Sequence, residues 1–235
     1  MSEEEEFFEE DFNDDEMIID GGDDDDDDII LSDSFEEPTL RVEEQQPSKD
    51  EIIQEALVKR FNPKSGTALR LLSDLKEIMK SNPKDLGFST NPIGNDLFNW
   101  EVQLFGFEKG TPMYDDLIKY EKMTKRNYVQ LQVTFPPDYP NIPPFVRVVQ
   151  PRFMFHTGRV TIGGSLCTDI LTLESWNPMY DIQGLMVNVT AEILNGKPRI
   201  DFSNNSPYSL EEAKQAYLRV AHDHGWKTSQ WLPKK

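Results

Sequence analysis

Three adjoining segments decide the fold. They are Tyr128-Val129-Gln130-Leu131-Gln132-Val133-Thr134-Phe135, then Pro136-Pro137-Asp138-Tyr139-Pro140-Asn141-Ile142-Pro143-Pro144, then Phe145-Val146-Arg147-Val148-Val149. In the first, Val129, Leu131, Val133 and Phe135 alternate with polar residues, the period-two pattern of a half-buried antiparallel strand. The second, counted from Phe135, carries five prolines in ten residues. Proline donates no hydrogen bond to a sheet ladder, so this segment reads as a stiff surface connection. Its Tyr139–Pro140 pair suits a cis bond. The third is short, β-branched and strand-like.

Working outward, Phe98–Phe107 alternates around Trp100, Val102, Leu104 and Phe105, and Leu86–Asn91 gives a weaker strand signal. The long connection Glu108–Arg126 has room for a turn of helix or an insertion. Upstream, Ser48 and Glu51 have the spacing of a capping box ahead of Ile52, Ile53, Ala56 and Leu57. Asn62–Pro63 ends that helix. A second helix starts near Ser65–Thr67, with Ala68, Leu71, Leu72, Leu75, Ile78 and Met79 on one face, and Asn82–Pro83 stops it. Downstream, residues 150–180 are irregular, with Gly158, Gly163 and Gly164 ahead of Ser165-Leu166-Cys167; a stretch of that length in a compact domain is usually functional. Asp181–Leu194 reads as a helix with Ile182, Leu185, Met186, Val189 and Ile193 inward and Val187 widening the buried face, ended by Gly196. Ser209 and Glu212 form another capping box before Ala213, Ala216, Tyr217, Val220 and Ala221, and Gly225 closes this last helix. Strands in succession after a helix, with helices behind them, predict an antiparallel meander of the α+β class.

The chain carries 43 acidic and 24 basic residues over 235, a formal net charge of −19. Residues 1–50 hold 23 of the acids and two bases, Arg41 and Lys49. The expected organisation is a disordered acidic tail over 1–47, a short helical lead-in over 48–63 and a nearly neutral globular domain over 64–235. Phe7, Phe8, Phe12, Met17, Ile18, Ile19 and Ile29–Leu31 interrupt the acids, so the tail is either a solvating segment or a docking segment for a basic surface. No 18-residue apolar run exists, so no membrane span is expected. The N-terminus lacks the basic start and apolar core of a secretory leader. One cysteine excludes a disulfide framework and predicts a reducing compartment, cytoplasmic or nuclear. Neither nucleic acid, membrane, metal nor cofactor is expected as a partner of this composition.

Cys167 is the only thiol. A lone cysteine is ordinarily a small core hydrophobe. This one follows a glycine-rich loop and precedes Thr168 and Asp169, a setting for a partly exposed nucleophile. His156, eleven residues upstream, pairs with it as a cysteine-hydrolase dyad only given spatial contact and a third orienting group. His222 and His224 lie two apart on the last helix and point away from each other, as a surface or helix-end pair. The glycines near 163 match no phosphate-binding loop and are read as turn formers.

Four motifs together carry a family resemblance: Asp96-Leu97-Phe98-Asn99-Trp100-Glu101-Val102; Val133 through Pro144; Cys167-Thr168-Asp169-Ile170-Leu171; and Trp176-Asn177-Pro178-Met179-Tyr180. In order and spacing they resemble the ubiquitin-conjugating enzymes from about residue 65 to 225. Pro144–Val149, the Gly163–Cys167 approach, Asn195-Gly196-Lys197-Pro198-Arg199 and His224-Gly225-Trp226 resemble the Q-type branch, which is also known for an acidic N-terminal region.

The resemblance implies the α+β fold of that family: an N-terminal helix, a four-stranded antiparallel meander, a catalytic loop and C-terminal helices. It implies that Cys167 takes the C-terminal glycine of ubiquitin, or of a ubiquitin-like protein, as a thioester from an activating enzyme, in an ATP-dependent pathway. A substrate amine, often guided by a ligase, then attacks. Asp169 is one candidate for an acidic neighbour of that amine, unless strand geometry turns it away. The family commonly places His-Pro-Asn before the cysteine. Here His156-Thr157-Gly158-Arg159 keeps the histidine, as loop support, without the asparagine, so a backbone N–H, Thr157, Thr161 or Arg159 substitutes, or transfer is slow, or a partner supplies the chemistry. Ligase docking in the family uses the first helix and two loops, which fall at Asn141–Ile142 and Asn177–Pro178–Met179; Trp176 is expected to anchor its loop. The alternative is a non-catalytic variant of the same fold that binds ubiquitin or a ligase.

Overall fold

A computed structural model describes residues 48–228; the expected acidic tail lies outside the described residues. The chain opens with α1 (Lys49–Phe61), whose capping box is formed as expected: Glu51 N–H donates to Ser48 Oγ while Ser48 N–H donates to the Glu51 carboxylate. Asn62, in the left-handed region, ends it. Helix α2 (Gly66–Lys80) is capped by Ser65 and buries Ala68, Leu71, Leu72, Leu75 and Ile78. Met79 was expected on that face but is exposed, because the buried stripe drifts away from it by the last turn. A single turn, α3 (Pro83–Leu86), follows where the sequence suggested that a strand begins at Leu86. Asn82 caps the turn and Gly87 ends it with a positive φ.

The sheet is an antiparallel meander in the order β1 (Phe88–Ile93), β2 (Asp96–Leu104), β3 (Val129–Thr134) and β4 (Phe145–Gln150). Register aligns Trp100 with Val133 and Val102 with Leu131, and Val133 with Val146 and Leu131 with Val148. These apolar side chains therefore share one face, which α2 covers and which forms one core with α2 and α5 (Ile182–Asn195). Burying each aliphatic side chain contributes roughly 1.5–3 kcal/mol. Strand β2 stops at Leu104 rather than at Phe107, because Gly106 turns the chain with a φ of 84°. The connection to β3 holds a full helix, α4 (Pro112–Thr124), capped by Thr111.

Strand β4 is buried on nearly every residue, Arg147 included. The guanidinium of Arg147 donates to Gln132 Oε1 at 2.6 and 3.0 Å and to the Tyr208 carbonyl at 2.8 Å, so the buried charge is met by acceptors on both sides. Helix α6 (Leu210–His224) seats Ala213, Tyr217 and Ala221 against Phe145 in a second, smaller cluster. Val187 was expected to be buried on α5, yet it is exposed: among the described residues nothing covers that side of α5. Among the described residues no helix is long and apolar enough to cross a membrane.

Candidate functional site

Strand β4 has a free edge, and the glycine-rich loop covers it. Val148 N–H donates to the Gly164 carbonyl and Leu166 N–H to the Val146 carbonyl, so unpaired ladder groups find partners there. The loop is itself a small hairpin in which Val160 bridges Leu166, Thr161 N–H donates to the Ser165 carbonyl at 2.9 Å and Cys167 N–H to the Arg159 carbonyl at 2.8 Å. The glycines act through close approach as well as turning. A Cβ at Gly163 would stand 2.1 Å from the Glu212 carbonyl oxygen of α6, and one at Gly164 would enter the Tyr208 ring. The loop is thus wedged between β4 and α6, and Cys167 is presented at its end.

Leu166 and Thr168 are buried and Cys167 between them is half-exposed. The thiol lies where two depressions meet. The larger, about 710 Å³, is bounded by the 155–162 hairpin, Asn195-Gly196-Lys197 and the outer face of α6. The smaller, about 400 Å³, contains Asp169, Asn188, Glu192 and Trp226. Arg159, Cys167 and His224 line both.

Backbone strain concentrates here. Among the described residues, five non-glycine positions have positive φ: Asn62 and Lys125 are helix C-caps, while His156 (61°), Arg159 (55°) and Lys197 (51°) all line the larger depression. Such conformations cost on the order of 1 kcal/mol each and persist where surrounding structure over-determines them. The surroundings do so through the far wall. Gly158 N–H donates to the Gly196 carbonyl at 2.7 Å, and Met154 N–H to that of Arg199. Arg199 and the Ile200 N–H in turn bind Asp116, a buried carboxylate on α4, at 2.7–3.2 Å. Helix α4, only a turn or an insertion from sequence, is what pins the groove wall.

Each sequence-derived candidate has a place. Asp169 opens a one-turn 3₁₀ helix two residues after Cys167 and shares the smaller depression with it. His156 lines the larger depression, but its ring lies against Phe155, with centroids 3.8 Å apart, and makes no hydrogen bond to Cys167; the hydrolase dyad is not assembled. The loop of Asn141 and Ile142 is tied to that of Asn177, Pro178 and Met179 by Trp176 Nε1, which donates to the Pro140 carbonyl at 2.6 Å, while Ile142 itself packs against the smaller cluster around Phe145. Trp176 is buried, the expected anchor. Helix α2 joins both loops: Thr67 Oγ1 donates to the carbonyls of Pro137 and Tyr139, and Arg70 donates to that of Tyr180. The Tyr139–Pro140 bond is cis. Met179 is 82% exposed and Leu69 of α2 55%, so this corner offers apolar contact to solvent.

Sequence reasoning missed His224, Arg219 and Lys197 as lining residues. His224 belongs to the site because the end of α6 folds over Cys167, its ring stacked on Trp226 at 5.0 Å. No local spacing signals that long-range packing.

Burial pushes the Cys167 thiol above its ordinary range; the Arg159 guanidinium opposes the rise and the Asp169 carboxylate adds to it. Only the thiolate is nucleophilic, and burial disfavours it. Because Cys167 is the sole cysteine, iodoacetamide labelling reads this group alone. Its rate is expected to climb about tenfold per pH unit from about pH 6 to 8 and to keep rising past the ordinary thiol value of about 8.5. A plateau below about pH 8 would contradict a raised thiol. Among the described residues no group of three or more His, Cys, Asp or Glu is placed to hold a metal ion.

Comparison with known proteins bears on this geometry. Residues 70–224 match the family model described as ubiquitin-conjugating enzyme. The chain is 30% identical over 164 residues to ubiquitin-conjugating enzyme E2 Q1 of Homo sapiens, covering 68% of this chain and 38% of that one. It is 28% identical over 163 residues to ubiquitin-conjugating enzyme E2 Q-like protein 1 of Mus musculus, covering 67% and 96%. Among solved structures, human ubiquitin-conjugating enzyme E2 G1 is similar at 30% identity with a TM-score of 0.43, over 55% of this chain and 96% of that one. The chain thus spans well under half the length of the E2 Q1 relatives.

Proposed function

We propose that this chain, which belongs to the ubiquitin-conjugating enzyme family and to its Q-type branch, carries ubiquitin as a thioester on Cys167 and passes it to an amine or to a ligase. The observation that carries this reading is the half-buried thiol at the junction of two depressions, on a loop packed closely between β4 and α6.

The chemistry is two acyl transfers. In the first, the Cys167 thiolate attacks the carbonyl of ubiquitin's C-terminal glycine, which arrives as a thioester on an activating enzyme. The tetrahedral intermediate collapses and expels that enzyme's thiolate. ATP is consumed in making the incoming thioester, so this chain needs none of its own. In the second, an amine attacks the new carbonyl, loses a proton and expels the Cys167 thiolate. A free lysine, with pKa about 10.4, is mostly protonated at neutral pH, so an adjacent carboxylate that orients it and lowers the cost of proton loss is useful. Asp169 suits that role by sharing the smaller depression with Cys167. His156 supports the rim through its left-handed backbone. For the ligase we propose the corner of α2, Asn141–Ile142 and Asn177–Pro178–Met179, where Met179 and Leu69 are exposed. The catalytic unit runs from residue 64, with 48–63 as a lead-in, and a reducing compartment, cytoplasmic or nuclear, suits a carrier thiol that must stay free.

Incubated with activating enzyme, ATP and ubiquitin, the full chain is expected to form an adduct that a thiol reductant removes. Cys167→Ala is expected to form none. An adduct of equal yield on Cys167→Ala would overturn the reading.

A further inference from the structure

We infer that the Arg159 guanidinium is the oxyanion-stabilising group of this site, donating to the carbonyl oxygen on Cys167 as it becomes an alkoxide. The inference rests on the acyl-transfer reading above and names a catalytic residue for it.

Any acyl transfer at Cys167 passes through a tetrahedral alkoxide, which needs a donor already in place. The two threonine hydroxyls of the hairpin are each held in a short local hydrogen bond. Thr157 Oγ1 donates to the Met154 carbonyl at 2.8 Å, and Thr161 Oγ1 is paired with Ser165 Oγ at 2.8 Å. The Cys167 N–H is engaged by the Arg159 carbonyl. That last bond places Arg159 directly across the hairpin from the thiol. Arg159 also lines both depressions together with Cys167, and its guanidinium is close enough for its charge to act on the thiol. A guanidinium offers five N–H donors in a rigid fork and stays charged through the reaction. Here Nε faces Glu192 Oε2 at 3.4 Å, and the side chain is 55% exposed, which leaves the terminal N–H groups to a ligand. The backbone supports the same assignment. Arg159 is held at a φ of 55° by the Gly158–Gly196 bond, and a Cβ at Gly196 would stand 2.5 Å from the Arg159 N. The chain accepts a strained arginine at a position where glycine would be free of strain.

The step balances without a co-reactant. The amine lone pair forms the C–N bond while the carbonyl π pair moves to oxygen. Arg159 donates a hydrogen bond to that oxygen and keeps its proton. The oxygen pair then reforms the carbonyl, the C–S bond breaks and its electrons leave on the Cys167 sulfur. The amine's proton goes to solvent.

The test is single-turnover discharge of the charged full chain onto excess free lysine. Arg159→Gln is expected to slow discharge about a hundredfold, the scale of losing one oxyanion donor, and Arg159→Lys to recover part of that loss. Arg159→Gln is also expected to move the Cys167 alkylation profile to higher pH, which a merely structural role would not do. Glu192→Gln, which frees the guanidinium, is expected to raise the discharge rate. Discharge of Arg159→Gln within twofold of the parent would overturn the inference and leave the carrier role standing. So would an equal slowing by Glu192→Gln with an unmoved alkylation profile, because that pattern marks a tether rather than a donor. A parent chain that never charges overturns the carrier role and this inference with it.

Discussion

Cys167→Ser is expected to turn a thiol-labile ubiquitin adduct into one that survives reductant, the largest change in chemistry any single substitution here should produce. Serine places a hydroxyl where the thiol was, at the same half-exposed position. An acyl group on oxygen is an ester, and an ester is not exchanged by added thiol as a thioester is. The alkoxide is a far poorer leaving group than a thiolate, so discharge to amines should fall with it. Charging should slow as well, because a hydroxyl gives up its proton far less readily than a thiol and is the weaker nucleophile. The gel readout is direct: a band resistant to reductant and removed by mild base for Cys167→Ser, and no band for Cys167→Ala. A reductant-resistant adduct of equal yield on both variants would place the acceptor on another side chain, because neither variant keeps a thiol.

Trp100→Ala is expected to carry the largest stability loss, about 3–5 kcal/mol, the range for deleting a buried aromatic side chain. Trp100 is fully buried on β2 opposite Val133, and its indole N–H donates to the Leu97 carbonyl at 2.7 Å. Its ring meets Phe135 edge-on at 5.2 Å, Phe135 meets Tyr139 at 5.0 Å, and Tyr139 meets Trp176 at 6.2 Å. The ladder runs from the sheet core to the proposed ligase corner, so the cavity should loosen that corner as well as lower the midpoint of urea unfolding. Met179→Ala is the contrast: at 82% exposed it should change stability by under about 0.5 kcal/mol. A loss below about 1 kcal/mol for Trp100→Ala would mean that the sheet does not depend on this contact.

The parts of the fold legible in the sequence are those set by local chemistry. Both capping boxes, Ser48–Glu51 and Ser209–Glu212, form as spacing predicts, because a cap needs nothing beyond four residues. The meander follows from period-two patterning and from prolines that forbid sheet pairing. Errors arose where tertiary packing decides. Met79 and Val187 are apolar residues at helical spacing whose faces no partner covers among the described residues. Helix α4 carries an ordinary capping signal at Thr111, yet its purpose, holding Arg199 through the buried Asp116, joins residues 83 positions apart.

The site divides the same way. Cys167 and Asp169 are legible because they adjoin a glycine-rich loop, though the glycines prove necessary for contact with Glu212 and Tyr208 as much as for turning. The two ligase loops are legible as motifs, and the Trp176–Pro140 bond explains why such distant segments meet. His224 and Lys197 reach the groove only through the packing of α6 and the wall after α5, which no spacing encodes.

The central claim is that Cys167 is the acyl carrier, and intact mass spectrometry of the full chain after incubation with activating enzyme, ATP and ubiquitin tests it most directly. The account predicts a gain of one ubiquitin less one water, reversed by reductant and blocked by prior alkylation of Cys167. No gain, or a gain that survives both treatments, would contradict it.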